Sequence, residues 1–140
     1  MSDETRTAVW PLVQYRDARA ALAFLSDAFG FEVTAVHPPD PAAGPVAHAV
    51  ARWPLGGGVM LSSAGSGDEL FAAHPPVGGQ SVYVVTDDPD GLHERAVAAG
   101  AEIARPMKDE DYGSRGFTAR DPEGNLWSFG TYPGEPRRAG

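Results

Sequence analysis

The order of apolar and polar positions along this chain is written twice. Val9 to Tyr15 is rich in β-branched and aromatic residues and predicts a strand, with Pro11 marking an edge position or a strand start. Asp17 follows as a helix N-cap, and Ala18, Leu22, Leu25 and Phe29 recur at helical spacing. Gly30 is suited to the left-handed conformation that closes a helix. A strand is predicted over Phe31 to Val36, then a proline-rich loop over 37–45, then a hairpin of Val46 to Trp53 and Gly58 to Ser63. The same order returns with a strand over Ser81 to Thr86, a turn at Asp87-Asp88-Pro89 and a helix over Asp90 to Ala99 whose buried stripe is Leu92, Ala96 and Ala99. Gly100, a strand over Glu102 to Arg105 and a charged loop over Lys108 to Gly116 come next. Phe117 to Arg120 and Leu126 to Thr131 form the last hairpin, turned by Asp121-Pro122-Glu123-Gly124-Asn125.

The repeat has a measurable spacing. Taking Asp17 and Asp87 as the two residues that open the helices, 87 − 17, 100 − 30 and 102 − 32 all give 70. The hairpin signals Arg52-Trp53-Pro54-Leu55-Gly56 and Arg120-Asp121-Pro122-Glu123-Gly124 are offset by 68, so a small insertion or deletion separates the halves. The expectation is an α+β domain over 7–134. It comprises two pseudo-symmetric βαβββ modules, 7–66 and 78–134, joined by a Gly/Pro-rich linker and forming one curved mixed sheet around a cavity.

Composition narrows the function classes. A chain of 140 residues makes one domain, which at this size buries roughly 70% of its unfolded surface. No apolar run approaches the roughly 20 residues of a membrane span, and the polar, acidic start Met1 to Arg6 lacks the order of a signal peptide. The absence of cysteine removes disulfides, thiolate ligands and cysteine nucleophiles, and points to the cytoplasm. A formal charge of −8 disfavours a nucleic-acid partner. It is compatible with a cationic ligand, although solubility alone explains it. There is no nucleophile elbow, no phosphate loop and no dinucleotide fingerprint; Asp87-Asp88 reads as a pair of helix-capping carboxylates.

Several segments carry a family likeness: Asp17 with Ala23-Phe24-Leu25, Phe29-Gly30-Phe31, Val84-Val85-Thr86-Asp87-Asp88 and Ala98-Ala99-Gly100-Ala101. The most specific is Phe117 to Phe129 with its Asp-Pro-Glu-Gly-Asn turn. Together they resemble the vicinal oxygen chelate superfamily of glyoxalases, bleomycin-resistance proteins and extradiol dioxygenases, over about Val9 to Tyr132. The segment Asp111 to Gly116 resembles the PhnB-like subgroup. The resemblance implies eight strands curled around a pocket, helices on the convex side and a homodimer. It also implies four metal ligands, and these positions carry Trp10, Ser81 (or Gln80), Met60 (or Leu61) and Ser128. Indole, thioether and alkyl groups are not ligands for a divalent cation and a serine hydroxyl is a poor one, so no metal and no other cofactor is expected.

Strand parity then sorts the inner face. With Trp10 and Ser128 inward, Leu12, Gln14, Ser81, Tyr83, Val85, Leu126 and Gly130 share that face, while Val13, Tyr15, Trp127 and Phe129 are core. His37 and His74 sit in loops, His93 in the second helix, and His48 on a strand from which it reaches the cavity or is held by hydrogen bonds. Tyr112 and Arg115 fall, by the resemblance, at the cavity mouth, where Arg115 could grip a carboxylate or phosphate or else stand solvated. The candidate pocket is therefore Trp10, Leu12, Gln14, His48, Met60, Ser81, Tyr83, Tyr112, Arg115 and Ser128. Such a lining suits a flat or partly apolar molecule, such as an antibiotic or metabolite. The alternatives are an enzyme (lyase, dioxygenase or isomerase) with a displaced metal or with His48, Tyr83 or Tyr112 as acid–base groups, and a structural module in which Trp10 fills the cavity.

Overall fold

Pro11 cannot donate to a ladder, and the first strand starts directly after it: β1 is Leu12–Tyr15, shorter than the Val9 start expected. The computed structural model describes residues 8–65, 70 and 77–135; His74 and most of the linker lie outside the described residues. Asp17 caps α1 (Ala18–Phe24), its Oδ1 accepting from the Ala20 amide at 3.1 Å. The helix then widens into a π turn over Leu25–Phe29 and closes at Gly30, with φ at +90°. β2 (Glu32–His37), β3 (His48–Arg52) and β4 (Gly58–Ser63) complete the first module.

The second module runs β5 (Ser81–Val85), α2 (Pro89–Ala98), β6 (Glu102–Asp109), β7 (Arg115–Arg120) and β8 (Leu126–Gly130). Its N-cap is Asp88 rather than Asp87: the Asp88 side chain accepts from the Gly91 amide at 3.0 Å. The constant offset of 70 therefore compared unlike residues at the caps. From cap to closing glycine the first module has 30 − 17 = 13 steps and the second 100 − 88 = 12. The π turn absorbs that extra residue.

Two four-stranded mixed sheets result, ordered β1-β4-β3-β2 and β5-β8-β7-β6, with the β1–β4 and β5–β8 pairs parallel. The registers are equivalent: Leu12 lies beside Met60, and Tyr83 beside Ser128. β6 is longer than expected. The strand expected over Glu102 to Arg105 continues through Pro106 and Lys108 because β6 is an edge strand with register shifts on either side of Arg105, and edges accept proline and charge. The loop expected over 108–116 shrinks to a turn in which the Glu110 amide donates to the Ser114 carbonyl at 2.7 Å.

α1 packs on β1 and β4, α2 on β6 and β7, and α2 also meets the π turn. One core lies between: Phe29 packs on Trp127 and Phe129, and Phe31 on Trp53 and Trp127. The halves are latched reciprocally. The hairpin of the first module sends the Trp53 Nε1–H to the Val85 carbonyl at the end of β5, at 2.8 Å. The hairpin of the second places Asp121 against the Tyr15 hydroxyl at the end of β1, and Glu123 accepts from the Arg16 and Asp17 amides at 2.6 and 2.8 Å. The α2 residue Arg95 donates to the carbonyls of Ser26 and Asp27, both at 3.0 Å, and its guanidinium lies against Gly30.

Candidate functional site

Parity along the strands, fixed by these registers, separates the core face from the inner face. Val13, Tyr15, Leu61, Ala49 and Ala51 are buried among the core residues, so Leu12, Gln14, Met60, Val50 and His48 face the other way. Between Met60 and Leu61 the register thus selects Met60 as inward. Trp10 sits over Gly58, where an added Cβ would come within 3.1 Å of the indole and 2.3 Å of the Ala51 carbonyl oxygen. The Arg52 guanidinium lies over that ring, 5.4 Å from its centre. His48 stacks on His37 of β2 with ring centres 6.4 Å apart. Gln14 is 97% buried (3% exposed), and its Oε1 has no hydrogen-bond partner among the described residues.

On the second sheet, Tyr83, Ser128, Thr118 and Arg105 form a row across β5, β8, β7 and β6. Ser128 and Thr118 share a hydrogen bond of 2.8 Å between their hydroxyls. Tyr83 donates its hydroxyl to the Tyr132 carbonyl at 2.7 Å, and burial raises its pKa against the lowering effect of Ser114 and that carbonyl. Tyr112 stands edge-on to Tyr132, with centroids 5.9 Å apart. The Tyr132 hydroxyl donates to Glu135 Oε2 at 2.5 Å, which raises that phenol's pKa.

Two cavities meet at Tyr83. The larger, about 610 Å³, is lined by Pro11, Trp53, Leu55, Val82, Val85 and Pro133 together with Tyr83 and buried neighbours. The smaller, about 190 Å³, is lined by Tyr83, Arg105, Glu110, Tyr112, Ser114, Thr118 and Ser128, with Gly116, Phe117, Phe129 and Gly130. The larger volume is in the range of small-molecule sites and its side-chain lining is apolar, which is how such sites hold ring systems.

A family model for the Glyoxalase/Bleomycin resistance protein/Dioxygenase superfamily matches residues 7–129. The chain belongs to that superfamily. Among solved structures, TioX from Micromonospora sp. ML1 is 30% identical, covering 88% of this chain and 98% of TioX with a TM-score of 0.70. A glyoxalase/bleomycin resistance protein from Catenulispora acidiphila DSM 44928 is 24% identical over 89% of this chain and 97% of its own, with a TM-score of 0.63. A glyoxalase/bleomycin resistance protein/dioxygenase from Nocardioides is 22% identical over 100% and 92%, with a TM-score of 0.61. The last two establish likeness of fold. No curated protein matches the chain.

The superfamily implies a metal centre, and the residues at its four positions do not fit one. Trp10 is packed against Gly58 and Arg52, Met60 offers a thioether, and the Ser128 hydroxyl is hydrogen-bonded to Thr118. Ser81 begins β5 beside Leu126. The Gln80 amide bonds the Asn125 side chain and its carbonyl accepts from the Leu126 amide. Among the described residues no three His, Cys, Asp or Glu side chains converge as a metal site.

Of the residues singled out from the superfamily pattern and strand parity, Tyr83, Tyr112 and Ser128 come together around the smaller cavity. Trp10, Leu12, Gln14, His48, Met60 and Ser81 line neither of these two cavities. Arg115 also lines neither. Its fork closes on Asp90 of α2, with Nη2–Oδ1 at 2.8 Å and Nε–Oδ2 at 3.1 Å, and its Nη1 meets Asp109 at 3.0 Å. Those hydrogen bonds hold Asp90 below the usual carboxylate range and Arg115 above its own. Sequence reading missed Trp53 and Leu55 as cleft residues because a Pro-Leu-Gly turn reads as a turn and nothing more. It missed Arg105 because the strand was ended there.

Proposed function

We propose that this superfamily member is a small-molecule-binding protein that sequesters an antibiotic or metabolite without a metal, in the manner of the bleomycin-binding branch. The observation that carries this reading is the combination of a scaffold intact through both modules with Trp10, Met60, Ser81 and Ser128 at the ligand positions. The apolar cleft beside Trp53 supports it, being of ligand size and lined by side chains with almost no acid–base chemistry. A filled-cavity module is disfavoured because Trp10 is packed on Gly58 and leaves that cleft open. We further infer a cytoplasmic homodimer of the PhnB-like type, whose partners are small molecules rather than nucleic acid or membrane. In keeping with that, no helix among the described residues is long and apolar enough to cross a membrane.

The test pairs metal analysis with a ligand screen. Purified protein should carry no stoichiometric Zn, Ni, Fe or Mn, and its melting temperature should rise with flat, partly apolar compounds. Stoichiometric metal, or turnover abolished by a chelator, would replace this reading with the enzymatic one.

A further inference from the structure

Resting on the binding reading above, we propose that Arg105 is the anion-recognising residue of the site, and that the ligand joins a planar apolar ring system to an ionised carboxylate. The chain's cations are otherwise engaged near this face. Arg115 is closed on Asp90 and Asp109, Arg120 on Glu102 at 3.0 Å, and Lys108 on Glu110 at 3.5 Å. Arg105 has no carboxylate or carbonyl partner among the described residues, yet it lines the smaller cavity.

Its placement is built into the strand. Register shifts fall on both sides of Arg105, between Ile103 and Arg105 and between Arg105 and Lys108. Bulges of this kind re-aim a side chain and are over-represented beside functional sites. In register with Arg105 stands Thr118, followed by Ser128 and Tyr83, so one guanidinium fork ends a row of three hydroxyls.

The geometry fits a monoanion with two oxygens. A carboxylate matches the planar fork of arginine bidentately and can accept one further hydrogen bond, from whichever of the Thr118 and Ser128 hydroxyls does not donate to the other. A phosphate dianion would leave excess negative charge beside Glu110 in a protein of net charge −8. Tyr83 lines both cavities, so a ligand whose head meets Arg105 lays its body past the Tyr83 ring into the apolar cleft between Trp53, Leu55 and Val85. The two cavities thus form one bipartite site, polar at β6–β8 and apolar at β5.

Calorimetric and NMR titration with 2-naphthoate and its neutral isostere 2-naphthamide tests this. The acid should bind about tenfold tighter than the amide, in line with a charge-assisted hydrogen-bonded pair. Both should shift the Trp53 indole N–H resonance. Arg105→Gln should remove the preference for the acid while leaving amide affinity in place, and Arg115→Gln should keep the preference. Equal affinities in the unmodified protein, a preference that survives in Arg105→Gln, or one lost in Arg115→Gln would overturn the assignment while leaving the binding reading standing. Failure of both probes to bind would overturn the bipartite site, whereas the binding reading falls only with the metal analysis and the ligand screen.

Discussion

Tyr15 donates its hydroxyl to Asp121 Oδ2 at 2.6 Å across 106 residues of sequence, joining the end of β1 to the turn between β7 and β8. Asp121 is buried, and it also receives the Trp127 indole N–H and the Asn125 side-chain amide on Oδ2, and the Glu123 and Asn125 backbone amides on Oδ1. A carboxylate out of water needs such a shell, because stripping its hydration is costly unless donors replace it.

Tyr15→Phe should therefore cost about 1.5–3 kcal/mol in urea unfolding, the size expected for one buried hydrogen bond to a charged group. Asp121→Ala should cost about 3 kcal/mol or more, because it strands several buried donors at once. The pH dependence has a definite sign. Burial, reinforced by the Asp121 charge, raises the Tyr15 pKa in the folded protein. The stabilisation is then fully present below the unfolded tyrosine value of about 10 and is lost as pH rises beyond it. Tyr15→Phe should flatten that alkaline loss.

Trp53→Phe keeps an aromatic ring near Phe31 and Phe129 but removes the donor to the Val85 carbonyl. The expected cost is about 1 kcal/mol, with a lower affinity for ligands of the apolar cleft. Equilibrium unfolding and the ligand titrations read these separately.

Gln14→Met should be neutral or stabilising by up to about 1 kcal/mol, since it replaces a buried oxygen that has no partner among the described residues by a side chain of similar shape. Gln14→Glu should destabilise, because it puts a charge in the same place. Loss of stability in Gln14→Met would mean that the oxygen is satisfied by an ordered water or a ligand.

Arg115→Gln breaks the clasp between α2 and the turn of the second sheet. Its effect on melting temperature should shrink in 1 M salt, as an exposed ion pair requires. The Asp90 carboxylate is held below its usual range, so its contribution is present above the unfolded value of about 3.9 and lost as pH falls further. The difference between Arg115→Gln and the unmodified protein should vanish on that acid side.

Much of the architecture is legible in the sequence because it depends on local chemistry. Asp17, Gly30 and Gly100 cap and close helices through groups within four residues of themselves, and these readings match the structure. The Asp-Pro-Glu-Gly-Asn turn is equally local, and its buried shell explains why those residue types stand there. The cap at Asp88 was misassigned by one residue because a π turn leaves no compositional mark. The partner of Arg115 was not legible, since Asp90 lies 25 residues away and meets it only through the packing of α2 on β7. Nor was the Trp53 cleft, which exists only where one module's turn lies against the other's first strand.

The reciprocal latching has a further consequence for the chain as an assembled object. A polypeptide carrying only residues of the first module would end β1 with a tyrosine hydroxyl and two backbone amides lacking their acceptors, and would carry a tryptophan N–H with no carbonyl to meet. Neither half should therefore fold stably by itself. The duplication has made two copies obligate to each other, so fragments cut in the linker should be recoverable as a non-covalent heterodimer and not as two stable monomers.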